Sequence, residues 1–234
     1  MHPLHSQILT LLRKEAGNGT QLSDSESYIL SGHEYLSIAV PIRREIAKTW
    51  LKENPDVSDQ DFLAMIDGLF MGKTHEEKTI ASMFLALNPD ARKKVTFPQI
   101  NRWLDELVGW AEIDTLCAGT FSLDNFLDTW DGWEKFLCNL ARDKNINKRR
   151  AALAFLVRPL AKSDDERIWA LALDLADQLK HKKEILITKA ISWVLRSGVA
   201  NHKEAVRNYL KKEKDNLPKI AVRETVRKIE TGRK

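Results

Sequence analysis

The sequence predicts an all-α protein, a curved solenoid of antiparallel helix pairs of the HEAT-like type. Apolar residues recur at helical spacing along most of the 234-residue chain. Sustained alternation and tight hairpin turns, the usual signals of β-strands, are nearly absent. Short helical segments also recur every 34 to 39 residues, a spacing typical of stacked helix pairs that bury one another's apolar stripes. We expect the repeats to form a single domain over residues 1–234.

Two segments show the helical pattern most clearly. Apolar side chains form one stripe along Asp61–Phe70 and another along Glu166–Leu179. Ser163 and Glu166 stand at the ends of a capping-box pattern, in which the serine accepts from a backbone N–H and the glutamate reaches back. Residues that end or interrupt helices stand between the periodic segments; they are Asn54-Pro55, Asn88-Pro89, Gly132 and Leu217-Pro218. The connections are therefore short, as antiparallel pairs require.

The repeat sets five ionisable residues in one register of the second helices. They are Lys78, Asp114, Arg150, Lys189 and Arg223, spaced by 36, 36, 39 and 34 residues. Equivalent positions of stacked repeats point the same way, so four cations would form a row that suits a polyanion backbone. The single carboxylate in that row needs another explanation, because phosphate repels it.

Charge is divided unequally along the chain. Residues 1–141 hold 13 Lys+Arg and 21 Asp+Glu, a net charge of −8, whereas residues 142–234 hold 24 and 12, a net charge of +12. The basic half favours a polyanionic partner, nucleic acid first, although basic residues also simply solvate helix faces. No apolar run approaches the ~20 residues of a membrane span, and no secretory leader is recognisable. We therefore expect a cytoplasmic, nucleoid-associated protein, most simply a monomer.

Two tryptophans share helix faces with residues of the register. Trp110 precedes Asp114 by four residues, and Trp193 follows Lys189 by four. Core packing is the alternative for both, but a face shared with a charge is a poor place for dry packing. The other five are interpreted as core residues: Trp50, Trp103, Trp130, Trp133 and Trp169.

The remaining motifs carry no separate chemistry. Cys117 and Cys138 make neither a disulfide framework nor a zinc signature, and we expect Cys117 to be buried as a small apolar residue. The histidines lack metal-ligand spacing, and His75-Glu76 lacks the second histidine of a zinc-protease helix. We expect neither a metal ion nor a cofactor.

Four segments, in this order and spacing, resemble the AlkD-like DNA alkylation repair family over essentially the whole chain. They are Trp110-Ala111-Glu112-Ile113-Asp114, Arg149-Arg150-Ala151-Ala152, Lys189-Ala190-Ile191-Ser192-Trp193-Val194-Leu195-Arg196, and Tyr28 followed by Tyr35-Leu36-Ser37-Ile38-Ala39-Val40-Pro41-Ile42-Arg43-Arg44. Two positions depart from the family pattern. Ser37 stands where relatives commonly carry glycine, and Gly109 where a second aromatic residue is common.

The resemblance implies a monofunctional DNA glycosylase that removes N3- and N7-alkylated purines, such as 3-methyladenine and 7-methylguanine, from duplex DNA. Asp114 would be the catalytic carboxylate, with Trp110 and Trp193 packing on the deoxyribose and backbone at the lesion. Arg150 would anchor a phosphate, and Tyr28 would belong to helices that close over the site. The other expected DNA contacts are Arg149, Lys189, Arg196 and Arg223. Alkylated duplex DNA is the expected partner, with no membrane and no obligate protein partner.

Two other functions remain open at this point. A non-catalytic module that binds damaged or branched DNA would also use the basic half of the chain. A protein-interaction scaffold is the default role of many helical repeats and would bind no duplex even at low salt.

Overall fold

A computed structural model describes residues 1–16 and 31–233, and within them the chain is all-helical with no β-strand. The predicted all-α class is confirmed. An isolated parallel bridge joins Glu34 to Thr74. The chain divides into two compact units, Met1–Thr120 and Phe121–Lys234. The single-domain assignment over residues 1–234 stays a prediction.

The described part of the first unit contains seven helices. They are α1 (Pro3–Ala16), α2 (Val40–Glu53), α3 (Asp59–Phe70), α4 (His75–Leu87), α5 (Pro89–Lys93), α6 (Phe97–Glu106) and α7 (Gly109–Gly119). Helix α4 is at the centre of the unit, because it packs against α2, α3 and α7. Helices α1 and α6 pack against α3. The second helices α4 and α7 are therefore neighbours, as the repeat predicts.

Side-chain caps fix where these helices begin. Ser58 accepts a hydrogen bond from the Asp61 backbone N–H, so α3 starts at Asp59, two residues before the predicted segment. Thr74 and Glu77 form a capping box at the start of α4. Each cap satisfies backbone N–H groups that would otherwise lack a partner in the first turn.

Aromatic side chains fill the core of the first unit. Trp50 meets Phe84 edge to face at 5.4 Å between ring centroids, and Trp103 stacks on Phe70 at 4.5 Å. The indole N–H of Trp103 donates to Asp67 at 2.6 Å, so its one polar group is satisfied although the ring is buried. The prediction that Trp50 and Trp103 are core residues is confirmed.

The second unit also contains seven helices in its described residues. They are α8 (Leu123–Asp128), α9 (Trp130–Ala141), α10 (Ile146–Lys162), α11 (Glu166–Leu179), α12 (Ile185–Gly198), α13 (Lys203–Glu213) and α14 (Lys219–Thr231). Helices α10, α12 and α14 pack side by side in that order. Helix α9 packs on α10, α11 on both α10 and α12, and α13 on α12. This layered arrangement of helix pairs is the one that the repeat predicts.

Helix α11 has the predicted bounds, but its predicted cap is wrong. Asp165, rather than Ser163, is the N-cap, and its carboxylate accepts from the Arg167 backbone N–H. The hydroxyl of Ser163 accepts from the Asp165 N–H instead, two residues before the N-cap. Aspartate and serine cap equally well, so sequence alone does not distinguish between adjacent candidates.

The tryptophans of the second unit separate into buried and half-buried residues. Trp133 stacks on Phe126 at 4.2 Å between ring centroids, and Trp169 stacks on His202 at 5.4 Å. Both are core residues, as predicted. Trp130 is only half-buried, with the Arg167 guanidinium 5.2 Å from its ring centroid, so its assignment to the core is wrong. Trp130 begins α9, and a helix end places such a side chain at the surface.

No helix in residues 1–16 or 31–233 is long and apolar enough to cross a bilayer. Cys117 is buried, as expected.

Candidate functional site

Helix α7 carries Trp110 in its first turn and Asp114 at its middle. The two residues are one turn apart, so they share a helix face, and both are half-buried. Gly109, the first residue of the helix, has a φ of 77°, which side chains with a Cβ rarely adopt. The backbone that leads into Trp110 therefore requires glycine, which explains why an aromatic residue is absent at this position.

A buried carboxylate holds the start of α7. Glu112, 1% exposed, accepts the Val108 backbone N–H at 2.9 Å and the Nδ1 atoms of His33 and His75 at 3.0 and 3.1 Å. Burial opposes ionisation, yet the three hydrogen bonds hold the pKa of Glu112 below its ordinary value. Glu112 thus fixes the helix that carries Trp110 and Asp114 to α4 and to the segment around His33.

A second buried glutamate organises the segment before α2. The Glu76 carboxylate on α4 accepts the backbone N–H groups of Leu36 at 2.9 Å and Ile38 at 3.3 Å. Ser37, between them, has a φ of 60°. This is the position where the family pattern has glycine, and the left-handed backbone gives the physical reason for that preference.

Neither glutamate contact was predicted from the sequence. Glu112 and His33 are 79 residues apart, and Glu76 and Leu36 are 40 apart, so no local pattern connects them. The available signal was an acidic residue on the buried face of each helix, since ionised side chains are rarely buried without partners. Tyr28, the other residue predicted in the first unit, lies outside the described residues.

One prediction about the register is wrong. Lys78 is 1% exposed, and its ammonium donates to the Phe70 carbonyl at 2.7 Å. Burial lowers its pKa, although Glu112, Glu106 and Glu77 act in the opposite direction. Phe70 ends α3, and a cation at that end satisfies a carbonyl that no helical N–H can reach. Lys78 therefore caps a helix inside the first unit and does not add a surface cation.

In the second unit, two arginines tie α10 to the beginning of α12. Arg150 is 4% exposed, and its Nη1 donates to the Leu186 carbonyl at 2.6 Å. Arg149 donates to the carbonyls of Asp143 and Lys144 and forms an ion pair with Glu184 at 3.2 Å. The structure thus gives both residues a role in holding the repeat together. Their predicted phosphate contacts stay a prediction.

The remaining predicted residues of the second unit lie on α12 and α14. Lys189 is exposed and Trp193, one turn later, is half-buried, so their shared helix face is accessible in part. Arg196 follows on the next turn, with its side chain 12% exposed. Arg223 is exposed on α14, the neighbouring helix. Asp114, Arg150, Lys189 and Arg223 each lie in the first six residues of their helices.

No three His, Cys, Asp or Glu side chains are grouped to hold a metal ion in the parts of the chain that the structure describes. Trp110 and Asp114 belong to the first unit, and the predicted arginines, Lys189 and Trp193 belong to the second.

The sequence and the fold both match known proteins of one family. A family model described as DNA alkylation repair enzyme matches residues 10–229. The solved structure of a predicted DNA alkylation repair enzyme from Enterococcus faecalis matches 98% of this chain and 96% of its own, with 16% identity and a TM-score of 0.69. This likeness shows the same helical fold. An engineered protein matches 84% of this chain and 93% of its own at 14% identity, with a TM-score of only 0.34.

No curated protein sequence matches the chain. The family match, however, covers almost all of it and confirms the resemblance that the four sequence segments indicate. The chain belongs to the DNA alkylation repair enzyme family.

Proposed function

We propose that the protein is an alkylpurine DNA glycosylase, which hydrolyses the N-glycosidic bond of N3- and N7-alkylated purines in duplex DNA. The observation that supports this most directly is the pair Trp110 and Asp114, one turn apart and half-buried on α7, in a chain of the DNA alkylation repair enzyme family.

The chemistry needs few groups because the damaged base is already activated. Alkylation at N3 or N7 makes the purine cationic, so it departs as a neutral molecule and no general acid is required. Its departure leaves a sugar with oxocarbenium character, as in other glycoside hydrolysis. A carboxylate beside C1′ stabilises this developing positive charge and orients the attacking water. In the proposal, Asp114 is that carboxylate. One acidic residue suffices because the base needs no general acid to depart.

The tryptophans supply a complementary interaction. An aromatic face attracts a cationic sugar or base by ~0.5–2 kcal/mol, depending on desolvation. We assign this role to Trp110 and Trp193, which are half-buried, whereas Trp50, Trp103, Trp133 and Trp169 are buried in the core. In this proposal the duplex is held by Arg149, Arg150, Lys189, Arg196 and Arg223, together with Tyr28.

The test is the identity of the bases released from methylated duplex DNA, measured by mass spectrometry. Wild-type protein should release 7-methylguanine and 3-methyladenine, and Asp114→Asn should release neither above background. The matched control is Asp124→Asn, an identical change at an exposed residue of α8, which should behave like wild type. Release of these bases by Asp114→Asn at the wild-type rate would show that the Asp114 carboxylate has no part in the mechanism.

A second candidate is a non-catalytic protein that binds damaged or branched DNA. The +12 charge of residues 142–234 favours it, because that charge serves binding without chemistry. The same assay separates the two functions. Duplex binding by the wild type without any released base would support the binding protein and contradict the glycosylase.

A further inference from the structure

The second unit contains a basic cavity on the two helices that carry Arg196 and Arg223. Its volume is about 380 Å³, and four side chains line it: Arg196 from α12, and Arg223, Glu224 and Arg227 from α14. Helices α12 and α14 pack side by side. Three guanidinium groups thus share one recess with a single carboxylate.

Arg196 is held in place by two neighbours. Its Nε donates to both the carbonyl and the hydroxyl oxygen of Ser192, each at 3.2 Å. The buried Ser192 hydroxyl donates in turn to Glu224 at 2.5 Å, and the Glu224 carboxylate lies 3.4 Å from the Arg196 Nε. These contacts use the Nε edge of the guanidinium. They make no use of its two terminal amino groups, which are the donors that grip an anion in a fork.

The two arginines of α14 add charge that the protein does not neutralise. Arg223 and Arg227 are four residues apart and exposed, so they share one face of the helix. Within residues 1–16 and 31–233, neither guanidinium forms an ion pair. Like charges at this spacing disfavour a helix. Their presence beside Arg196 is therefore unfavourable unless an anion joins them.

We infer that this cavity binds one phosphodiester group of the DNA backbone, with Arg227 as a contact that the sequence did not indicate. Guanidinium groups match the geometry of phosphate oxygens and donate pairs of parallel hydrogen bonds to them. Glu224 is already paired to Arg196 and Ser192. The positive charge that attracts the phosphate therefore comes from Arg223 and Arg227. The inference rests on the proposed function, because it takes alkylated duplex DNA as the source of the phosphate.

The test compares Arg227→Gln with Arg207→Gln. Arg207 is a partly exposed arginine of α13 whose partner is Glu204, so both variants lose one charge from the second unit. Loss of one phosphate contact lowers duplex affinity by roughly eightfold at 0.1 M salt and reduces the log–log salt slope by about 0.9. Arg227→Gln should show both effects, and Arg207→Gln should show neither. Equal affinities and slopes for the two variants would overturn the inference.

Two further measurements keep the outcomes distinct. Inorganic phosphate at millimolar concentration should raise the Tm of the wild type more than that of Arg227→Gln. If Arg227→Gln abolishes this shift but binds duplex as the wild type does, the cavity takes free phosphate only and the inference fails. Base release by the wild type is measured in the same preparation. If the wild type releases bases but Arg227→Gln binds duplex as tightly as the wild type, only the inference about the cavity is refuted. If the wild type neither binds duplex nor releases bases, the proposed function is refuted.

Discussion

Ser37 occupies a backbone conformation that favours glycine. Its φ of 60° brings the Cβ close to the following carbonyl, which costs roughly 1–2 kcal/mol for an L-residue. The Glu76 carboxylate imposes this conformation, because it accepts the N–H groups on both sides of Ser37. Leaving the buried Glu76 carboxylate without these donors would cost more free energy than the strain at Ser37.

Ser37→Gly should therefore stabilise the protein. Relief of the strain exceeds the greater chain entropy of glycine in the unfolded state, and we expect a net gain of about 0.5–1 kcal/mol in the free energy of unfolding. Denaturant titration measures it. Ser37→Ala retains the Cβ and should stay within about 0.5 kcal/mol of the wild type. A Ser37→Gly variant less stable than Ser37→Ala would contradict the argument.

Residue environments were predictable from the sequence where periodicity determines them. Trp50, Trp103, Trp133 and Trp169 fall on apolar stripes and are buried. The repeat register predicts that Lys78 lies at the surface in a row of cations. Its burial depends on the end of α3 lying within reach of its ammonium group, and this tertiary relation has no local signal in the sequence.

At the scale of the element, the start of α7 is held by the buried hydrogen bonds of Glu112. Glu112 lies two residues from both Trp110 and Asp114, and it joins the start of α7 to His75 on α4. Because Glu112 is buried, its hydrogen bonds are strong and the loss of a partner is costly. The orientation of the proposed catalytic helix therefore depends on a residue that is itself sealed from solvent.

Glu112→Gln should lower the free energy of unfolding at pH 7 by about 2–3 kcal/mol, since an amide cannot accept from all three donors that the carboxylate satisfies. Glu53→Gln, an exposed change on α2, is the control and should cost less than about 0.5 kcal/mol. Equal stabilities of the two variants would show that the hydrogen bonds of Glu112 contribute nothing to the fold.

Glu112, together with Glu77, which bonds to His5 and Thr74, predicts acid sensitivity. The pKa values of Glu112 and Glu77 are lowered in the folded protein relative to the ordinary 4.5. Their contribution to stability is therefore complete above about pH 4.5 and is lost as the pH falls through the lowered folded values. Denaturation at pH 7 and at pH 3 should show a smaller loss for Glu112→Gln than for the wild type, and an identical loss would exclude Glu112 as a cause.

Helix bounds were more predictable than helix contacts. The periodic pattern gave Glu166–Leu179 correctly and located α3 within two residues. The cap of α11 was misassigned by two residues because Ser163 and Asp165 are both good caps. The Glu112 and Glu76 contacts join segments far apart in the chain, and only the packed helices bring them together.

For the whole molecule, charge follows the division into units. Residues 121–234 hold 25 Lys+Arg against 16 Asp+Glu, whereas residues 1–120 hold 12 against 17. The two units therefore have opposite net charge. The basic one carries all six of the cationic residues proposed to contact DNA, Arg227 included, so phosphate binding should depend mainly on the second unit.

This distribution predicts a steep salt dependence of duplex affinity. Six cationic contacts correspond to a log–log slope of about −5.4 for B-form DNA. Fluorescence anisotropy of a labelled duplex between about 50 and about 200 mM salt measures the slope. A flat response would contradict both the glycosylase and the DNA-binding alternative and would favour a protein-interaction scaffold.

The most direct test of the central claim is the single-turnover rate of 7-methylguanine release from a defined duplex by wild type and Asp114→Asn. If the Asp114 carboxylate stabilises the sugar cation, the variant should lose at least about 100-fold in rate, the scale of one lost electrostatic contact in a transition state. Its Kd for the duplex should stay within a few fold of the wild type. An unchanged rate at saturating protein would contradict the account.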